Sequence, residues 1–278
     1  MRARENSHRT KDLFTANSRD LTPASACHAA HVLYGPVSHD PEVSSRCASV
    51  LSETELERAG RFAARHDKVQ FEQRRAFRRF CGATALGSSQ PLSEILFEET
   101  ENGRPFLFDS PDLWFSFSSC RFGILGAWSS THAIGIDIED QTRELEAVEL
   151  ARQFFSVAEA EVVEGAGGLE RLRTFFRFWS LKEAALKSIG EGLPFGLDAF
   201  EFELSPNLRV VHAPLDHGGP APFHGAVIEG TDGCAALVIR RSAGAVAATS
   251  GRSTSATTTL WGRSGSVSTT TDTRRPAR

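Results

Sequence analysis

No apolar run in this sequence comes near the roughly eighteen consecutive residues at which a membrane-crossing helix becomes an option, so a soluble chain is expected. An excess of positive charge is missing too. The formal net charge is −4, which excludes an overall pull toward nucleic acid or anionic membranes and leaves anion binding to local clusters. Cysteine is sparse and scattered: Cys27, Cys47, Cys81, Cys120 and Cys234 show no C-x-x-C spacing, which argues against zinc or a redox pair and fits a reducing cytoplasm. Cys120 has no identifiable base beside it and reads as a half-buried thiol, not a nucleophile. His66, His132, His212, His217 and His224 have no ligand spacing with cysteine or with one another. The first thirty residues lack the continuous apolar segment of a secretory signal.

What is present falls into four parts. Residues 1–30 read as a disordered extension, and residues 242–278, rich in Ser, Thr, Gly, Ala and Arg, as a low-complexity disordered tail that cannot bury enough apolar surface to offset its ordering entropy. Between them, residues 31–132 and 133–241 say a similar thing twice. The first copy opens on SETELER, with Ser52 and Glu55 at capping-box spacing, and continues into a long helix over 61–86. The second opens on SVAE, with Ser156 and Glu159 at the same spacing, and after a Gly-rich break continues into a long helix over 169–190. Short strands follow each helix. They are EILFEE, RPFLF after the turn Glu101-Asn102-Gly103, LWFSFS and FGILGAW in the first copy; AFEFEL, RVVHA, GAVIEG and CAALVIR follow in the second, with AIGIDIED at the joint near residues 129–142. This predicts an α+β monomer of two similar, pseudo-twofold-related halves, each a long helix packed on a small antiparallel sheet.

The joint carries the chemistry. In a strand, residues two apart share a face, roughly 6.6 Å apart, so Asp137 and Glu139 point one way while Ile136 and Ile138 point to the core. Alone, such a D-x-E would be a solvated strand end. The second long helix changes that reading. Its segment FFRFWSLKEAALKSIGEGL places Phe176, Trp179, Glu183 and Lys187 along one row. Glu183 and Lys187 could be a surface pair worth only about 0.3–0.5 kcal/mol, but polar groups beside three large aromatics are costly to bury without partners. Three carboxylates, Asp137, Glu139 and Glu183, suit a hard cation. Mg²⁺ takes a few carboxylates and completes its shell with water and substrate phosphates, and Lys182 and Lys187 would share the charge of a pyrophosphate.

IGIDIE followed by FWSLKEAALKSIGEGL resembles the paired signature of the 4′-phosphopantetheinyl transferases of the larger, surfactin-synthetase-activating type: G-I-D-x-E, then W-x-x-K-E-x-x-x-K. ERAGRF, NGRPFL, FSFSS and ARQFFSVAE extend the resemblance in order over roughly residues 52–204. The resemblance implies coenzyme A in a cleft between the halves. It implies transfer of the phosphopantetheine arm to a serine of an apo acyl or peptidyl carrier protein, with release of adenosine 3′,5′-bisphosphate. By the same resemblance Asp137, Glu139 and Glu183 hold Mg²⁺ with the pyrophosphate, Lys187 contacts phosphate, and Arg104, in the G-K/R-P position, contacts coenzyme A. Arg61, Ser118, Ser119 and Lys182 complete the expected coenzyme A contacts. Glu183 is the first candidate for the base that takes the carrier serine's proton, and Glu159 the second by family position, although its capping-box spacing gives it a structural reason to exist.

The resemblance fails at one position. Family members read F-N-x-S-H-S where this chain reads Phe115 to Cys120, so the family histidine is Ser119, which can donate a hydrogen bond but brings no charge. The basic run Arg74, Arg75, Arg78 and Arg79 reads equally as a patch for the 3′-phosphate end of coenzyme A or as a solvated helix face balanced by Glu53, Glu55, Glu57 and Glu72. Two rival functions remain at this level. One is a degenerate, non-catalytic binder of carrier protein or coenzyme A, motivated by Ser119. The other is a Mg²⁺-dependent nuclease, against which stands the helical spacing of Glu183 and Lys187.

Overall fold

The computed structural model describes residues 2–23, 29–230, 232–241 and 258–259. Its first half comprises α1 (Arg2–Asn17), β1 (Arg19–Asp20), β2 (His31–Pro36), α2 (Pro41–Ala48), α3 (Glu53–Gly60), α4 (Arg65–Ala85), β3 (Phe97–Glu99), β4 (Pro105–Leu107), β5 (Trp114–Cys120) and β6 (Gly123–Ser129). The second comprises β7 (Ala133–Asp140), α5 (Ala147–Phe154), α6 (Val157–Gly165), α7 (Gly168–Ile189), β8 (Glu201–Glu203), β9 (Arg209–His212), β10 (Phe223–Glu229), β11 (Gly233–Arg240) and β12 (Thr258–Thr259).

Both expected capping boxes form: Ser52 with Glu55 at the start of α3, and Ser156 with Glu159 at the start of α6. Each reciprocal pair satisfies donors that a helix start leaves open. Gly190, at φ 79°, ends α7 in the left-handed conformation, where a side chain would be strained. The element order then repeats between the halves. A strand is followed by a capped short helix, a long helix, a two-stranded hairpin (β3-β4 or β8-β9) and two more strands, and the main sheets run β2-β6-β5 and β7-β11-β10. The fold is α+β. β7 pairs with β11 along its whole length, opposing Asp137 to Ala236 and Glu139 to Cys234.

Three apolar clusters hold the layers together. α4 and its neighbours cover one face of the first sheet around Phe77, Phe80, Phe115 and Trp128, and α5 to α7 cover one face of the second around Phe155, Phe175, Phe178 and Leu181. The other faces meet in a third cluster, where Val32, Leu125 and Ala127 pack with Ile134, Ile136, Ile138 and Leu237. β7 is therefore buried on both faces, and its Asp137 and Glu139 lie on the α7 side. Gly135 sits on that side, and a Cβ there would lie inside the Ala184 carbonyl oxygen of α7. The glycine of G-I-D-x-E is thus what lets α7 approach the strand. Gly135→Ala is expected to lower stability by about 3 kcal/mol, since overpacking against a backbone has no side chain to yield, and a thermal melt reads the effect.

One expectation is corrected. The segment 1–30 is expected from its sequence to be disordered, yet α1 is a helix seated on the first core. Phe14 is buried with its ring 5.4 Å from both Phe77 and Phe80, and the Ser7 hydroxyl accepts from the Leu92 amide. The helix is hard to see in sequence because few apolar anchors hold an otherwise polar segment. The tail 242–278 lies outside the described residues apart from Thr258 and Thr259, which form a two-residue strand parallel to β10.

Candidate active site

The inner edges of the two sheets, β5 and β7, are joined by side chains. Trp114 Nε1 donates to the Ile134 carbonyl at 2.7 Å, Ser116 Oγ accepts from the Ile136 amide at 3.0 Å, and Ser118 Oγ donates to Asp137 Oδ1 at 2.8 Å. These contacts advance in one direction along both strands, so the strands run parallel and their C-terminal ends open on the same place. α7 supplies the third wall. Lys187 Nζ donates to Asp137 Oδ1 at 2.8 Å and to the Ile136 carbonyl at 3.2 Å. Glu183 lies one turn earlier on α7, within reach of the Asp137 and Lys187 charges.

Asp137 is buried, at 4% exposure, and its second oxygen, Oδ2, has no hydrogen-bond partner. An open buried acceptor of this kind costs free energy unless a ligand uses it. Its neighbours feel the crowding. Glu139 is pushed up to about 7, chiefly by burial and then by the Asp137 charge, against the opposing pull of Arg143, whose Nη1 lies 3.2 Å from Glu139 Oε2. Burial also raises Glu183, with Lys187 opposing and Asp137 adding to the shift. Among the described residues, no three or more His, Cys, Asp or Glu groups converge as a metal-holding set. Asp137, Glu139 and Glu183 are brought into one neighbourhood but not into a closed cage, because Lys187 occupies one Asp137 oxygen and Arg143 engages Glu139.

A cavity of about 470 Å³ adjoins this cluster, lined by Arg58, Arg74, Arg75, Arg78, Ser118 and Ser119 over the rings of Phe71 and Phe117. A smaller one of about 200 Å³, which shares Arg78, Gly103 and Phe117 with it, is lined by Arg104, Ser116, Lys187 and Gly190. Arg104 stacks on Trp114, its guanidinium carbon 4.1 Å from the ring centroid, and its Nη1 is buried without a partner. Burial lowers its pKa. Arg104 lines the smaller cavity together with Lys187, whose ammonium is bonded to Asp137, so the two orphaned groups of opposite sign, Asp137 Oδ2 and Arg104 Nη1, lie on either side of Lys187.

Of the sequence-predicted residues, Asp137, Glu139, Glu183, Lys187, Arg104, Ser118 and Ser119 come together, and three do not. Lys182 is wholly buried on the far side of α7. Its Nζ pairs with Glu159 Oε2 at 2.6 Å and donates to the carbonyls of Leu197 and Phe200. Glu159 is equally buried, at 1% exposure, and also accepts from the Ser156 and Phe202 amides. Neither faces the recess, because five residues separate Lys182 from Lys187 and about 100° per residue turns them to different faces. Arg61 is exposed at the end of α3 and does not line the cavity; Arg58, a turn earlier, does. Arg58 reaches the cavity by lying over the Phe71 ring of α4 at 5.4 Å, a contact between two helices that spacing along either one does not show. Cys120 is half-buried and pushed up to about 12 by burial, which fits an inert thiol.

A sequence profile described as the 4′-phosphopantetheinyl transferase superfamily matches residues 133–238. The chain is 31% identical over 170 residues to the 4′-phosphopantetheinyl transferase psf-1 of Bacillus pumilus, covering 55% of this chain and 71% of that one. It is 33% identical over 164 residues to the 4′-phosphopantetheinyl transferase HetI of Nostoc sp., covering 57% and 67%. To the 4′-phosphopantetheinyl transferase Sfp of Bacillus subtilis it is 34% identical over 126 residues, covering 45% and 55%.

Proposed function

The chain belongs to the 4′-phosphopantetheinyl transferases of the surfactin-synthetase-activating type, and from that premise we propose that it moves the phosphopantetheine arm of coenzyme A onto a serine of an apo carrier protein and releases adenosine 3′,5′-bisphosphate. The observation that carries the reading is the recess itself. It sets a lysine-paired carboxylate with one open oxygen beside a cavity of four arginines. Coenzyme A is an anion with a pyrophosphate at its reacting end and a phosphomonoester on its ribose, and this recess offers cations for both.

The donor set fits a hard cation. Asp137 Oδ2 is free to accept a further bond, and Glu139 and Glu183, raised first by burial and further by the Asp137 charge, are carboxylates whose ionised forms a cation would favour. Asp137, Glu139 and Glu183 are the residues that would hold Mg²⁺, and the ion would neutralise charge on the pyrophosphate. The protein's own residues account for the rest. Lys187, held by Asp137 and the Ile136 carbonyl, points an ammonium at the reacting phosphates and stabilises the charge that builds on the leaving bisphosphate. Arg104, with an unused donor, supplies a second cation on the same side. The carrier serine oxygen forms a bond to the β-phosphorus as the bond to the bridging oxygen breaks, and Glu183 takes the serine proton; a carboxylate raised by burial is a stronger base near neutral pH than an exposed one.

The test is to incubate the purified protein with coenzyme A, Mg²⁺ and apo carrier proteins of several types and weigh the intact carriers. A gain equal to one phosphopantetheine arm, lost on adding EDTA, is the expected outcome; no gain on any carrier, with coenzyme A binding intact, supports the non-catalytic binder instead. The cation can also be read without turnover. Millimolar Mg²⁺ should raise the melting temperature of the wild type and leave that of Asp137→Ala unchanged.

A further inference from the structure

Within the arginine-lined cavity the cations are not equivalent. Arg75 and Arg78 are committed to Glu99, at 3.4 and 2.8 Å, and Arg79, outside the lining, to Glu55 at 2.7 Å. Arg58 is exposed and lies over the Phe71 ring. Arg74 differs from all of these. It is half-buried, no carboxylate pairs with it among the described residues, and its one side-chain hydrogen bond is a long one, 3.4 Å from Nη1 to the Ser119 hydroxyl. A neutral hydroxyl cannot balance a guanidinium, and a desolvated cation without a counter-charge is costly unless an anion arrives. Burial and the neighbouring Arg75 and Arg58 charges lower the Arg74 pKa, and the Asp67 carboxylate opposes them as the smallest of the four causes, so the imbalance persists.

We propose that Arg74, acting with Ser119, is the residue by which this enzyme distinguishes coenzyme A from the analogue that lacks the ribose 3′-phosphate. The inference rests on the proposed function for the identity of the ligand. Ser118 is tied to the carboxylate cluster through Asp137, and the next residue, Ser119, is tied to Arg74 on α4. The end of β5 therefore joins a seat for the pyrophosphate to a seat for a second anion only one residue away, and on the ligand the two phosphate attachments are separated only by a ribose. A guanidinium meets a phosphomonoester through two parallel donors, and the long Ser119 contact gives way to it at little cost. The charge that histidine would bring at position 119 thus comes from the facing helix, and Ser119→His in the otherwise unchanged chain should yield no gain in affinity.

The experiment reads binding, so that it does not depend on turnover. Calorimetric titration compares adenosine 3′,5′-bisphosphate with adenosine 5′-monophosphate on the wild type, Arg74→Ala, Arg74→Lys and the double variant Arg74→Ala with Ser119→His. The wild type should prefer the bisphosphate; Arg74→Ala should weaken it about tenfold or more, the worth of a charged hydrogen bond, and leave the monophosphate within about twofold, which also shows that the variant is folded. Arg74→Lys should keep part of the preference, and the double variant should regain part of it. A wild type without preference, or an Arg74→Ala that weakens both nucleotides alike or neither, overturns the inference. A selective wild type that modifies no carrier leaves Arg74 in this role and removes the transferase reading, whereas transfer with a preference that survives Arg74→Ala removes this inference alone.

Discussion

Asp137→Ala should reduce phosphopantetheine transfer by at least about a thousandfold, the scale reached when charge stabilisation at a reacting phosphate is lost, while the protein remains folded. Asp137 is the residue on which the other parts converge. One oxygen fixes the Lys187 ammonium and the Ser118 hydroxyl, and the other is the open acceptor of the recess. Truncation frees Lys187 to swing toward solvent, so the loss of transfer should come with only a modest change in stability; Lys187 is 28% exposed and its charge is not trapped. Asp137→Asn sharpens the test. It keeps the shape and one acceptor but not the charge, so it should also lose the thermal shift produced by Mg²⁺. Intact-mass assays and paired melts with and without Mg²⁺ measure all three quantities. Full transfer by Asp137→Ala would remove this carboxylate from the mechanism and with it the cation site.

Much of this arrangement could be read from the sequence, and the residues show why. Periodicity and capping chemistry are local, so α3, α4, α6 and α7, the hairpin turn at Gly103 and the strand β7 follow from spacing alone. The approach of Asp137 and Glu139 to Glu183 and Lys187 was legible because the first two share a strand face and the others a helix row, whereas the direct bond from Lys187 to Asp137 was not. What spacing does not reveal is which side of a helix meets the ligand. Lys182 and Lys187 look alike in K-E-x-x-x-K, and only the packing of α7 against β8 and α6 turns one into the core and the other into the recess. Nor does it reveal how charges pair across elements. Arg75, Arg78 and Arg79 of α4 find Glu55 and Glu99, on α3 and β3, and among the described residues Arg74, in the cavity lining, has no such ion pair. The helix α1 was missed for a related reason, since its stability comes from Phe14 entering a core built by distant residues.

The fully buried pair of Lys182 and Glu159 leads to the second large effect, and here structure and family position disagree. Both side chains are at 1% exposure or less, and between them they bind the N-terminus of α6, the Phe202 amide of β8 and the carbonyls of Leu197 and Phe200. Burial lowers the Lys182 pKa and the Glu159 carboxylate opposes that shift, so the ammonium depends on its partner to remain charged. Removing one member of such a pair leaves the other charge uncompensated in the core. Lys182→Met is therefore expected to cost about 3–5 kcal/mol, a fall in melting temperature on the order of 10 °C. The double variant Lys182→Met with Glu159→Gln should recover part of that loss, giving a coupling free energy that a double-mutant cycle isolates. Transfer per folded molecule should stay close to wild type at a temperature where both variants are folded. If Lys182→Met instead melts like the wild type and loses its affinity for coenzyme A, the lysine reaches the ligand after all, and α7 must turn or shift when coenzyme A binds.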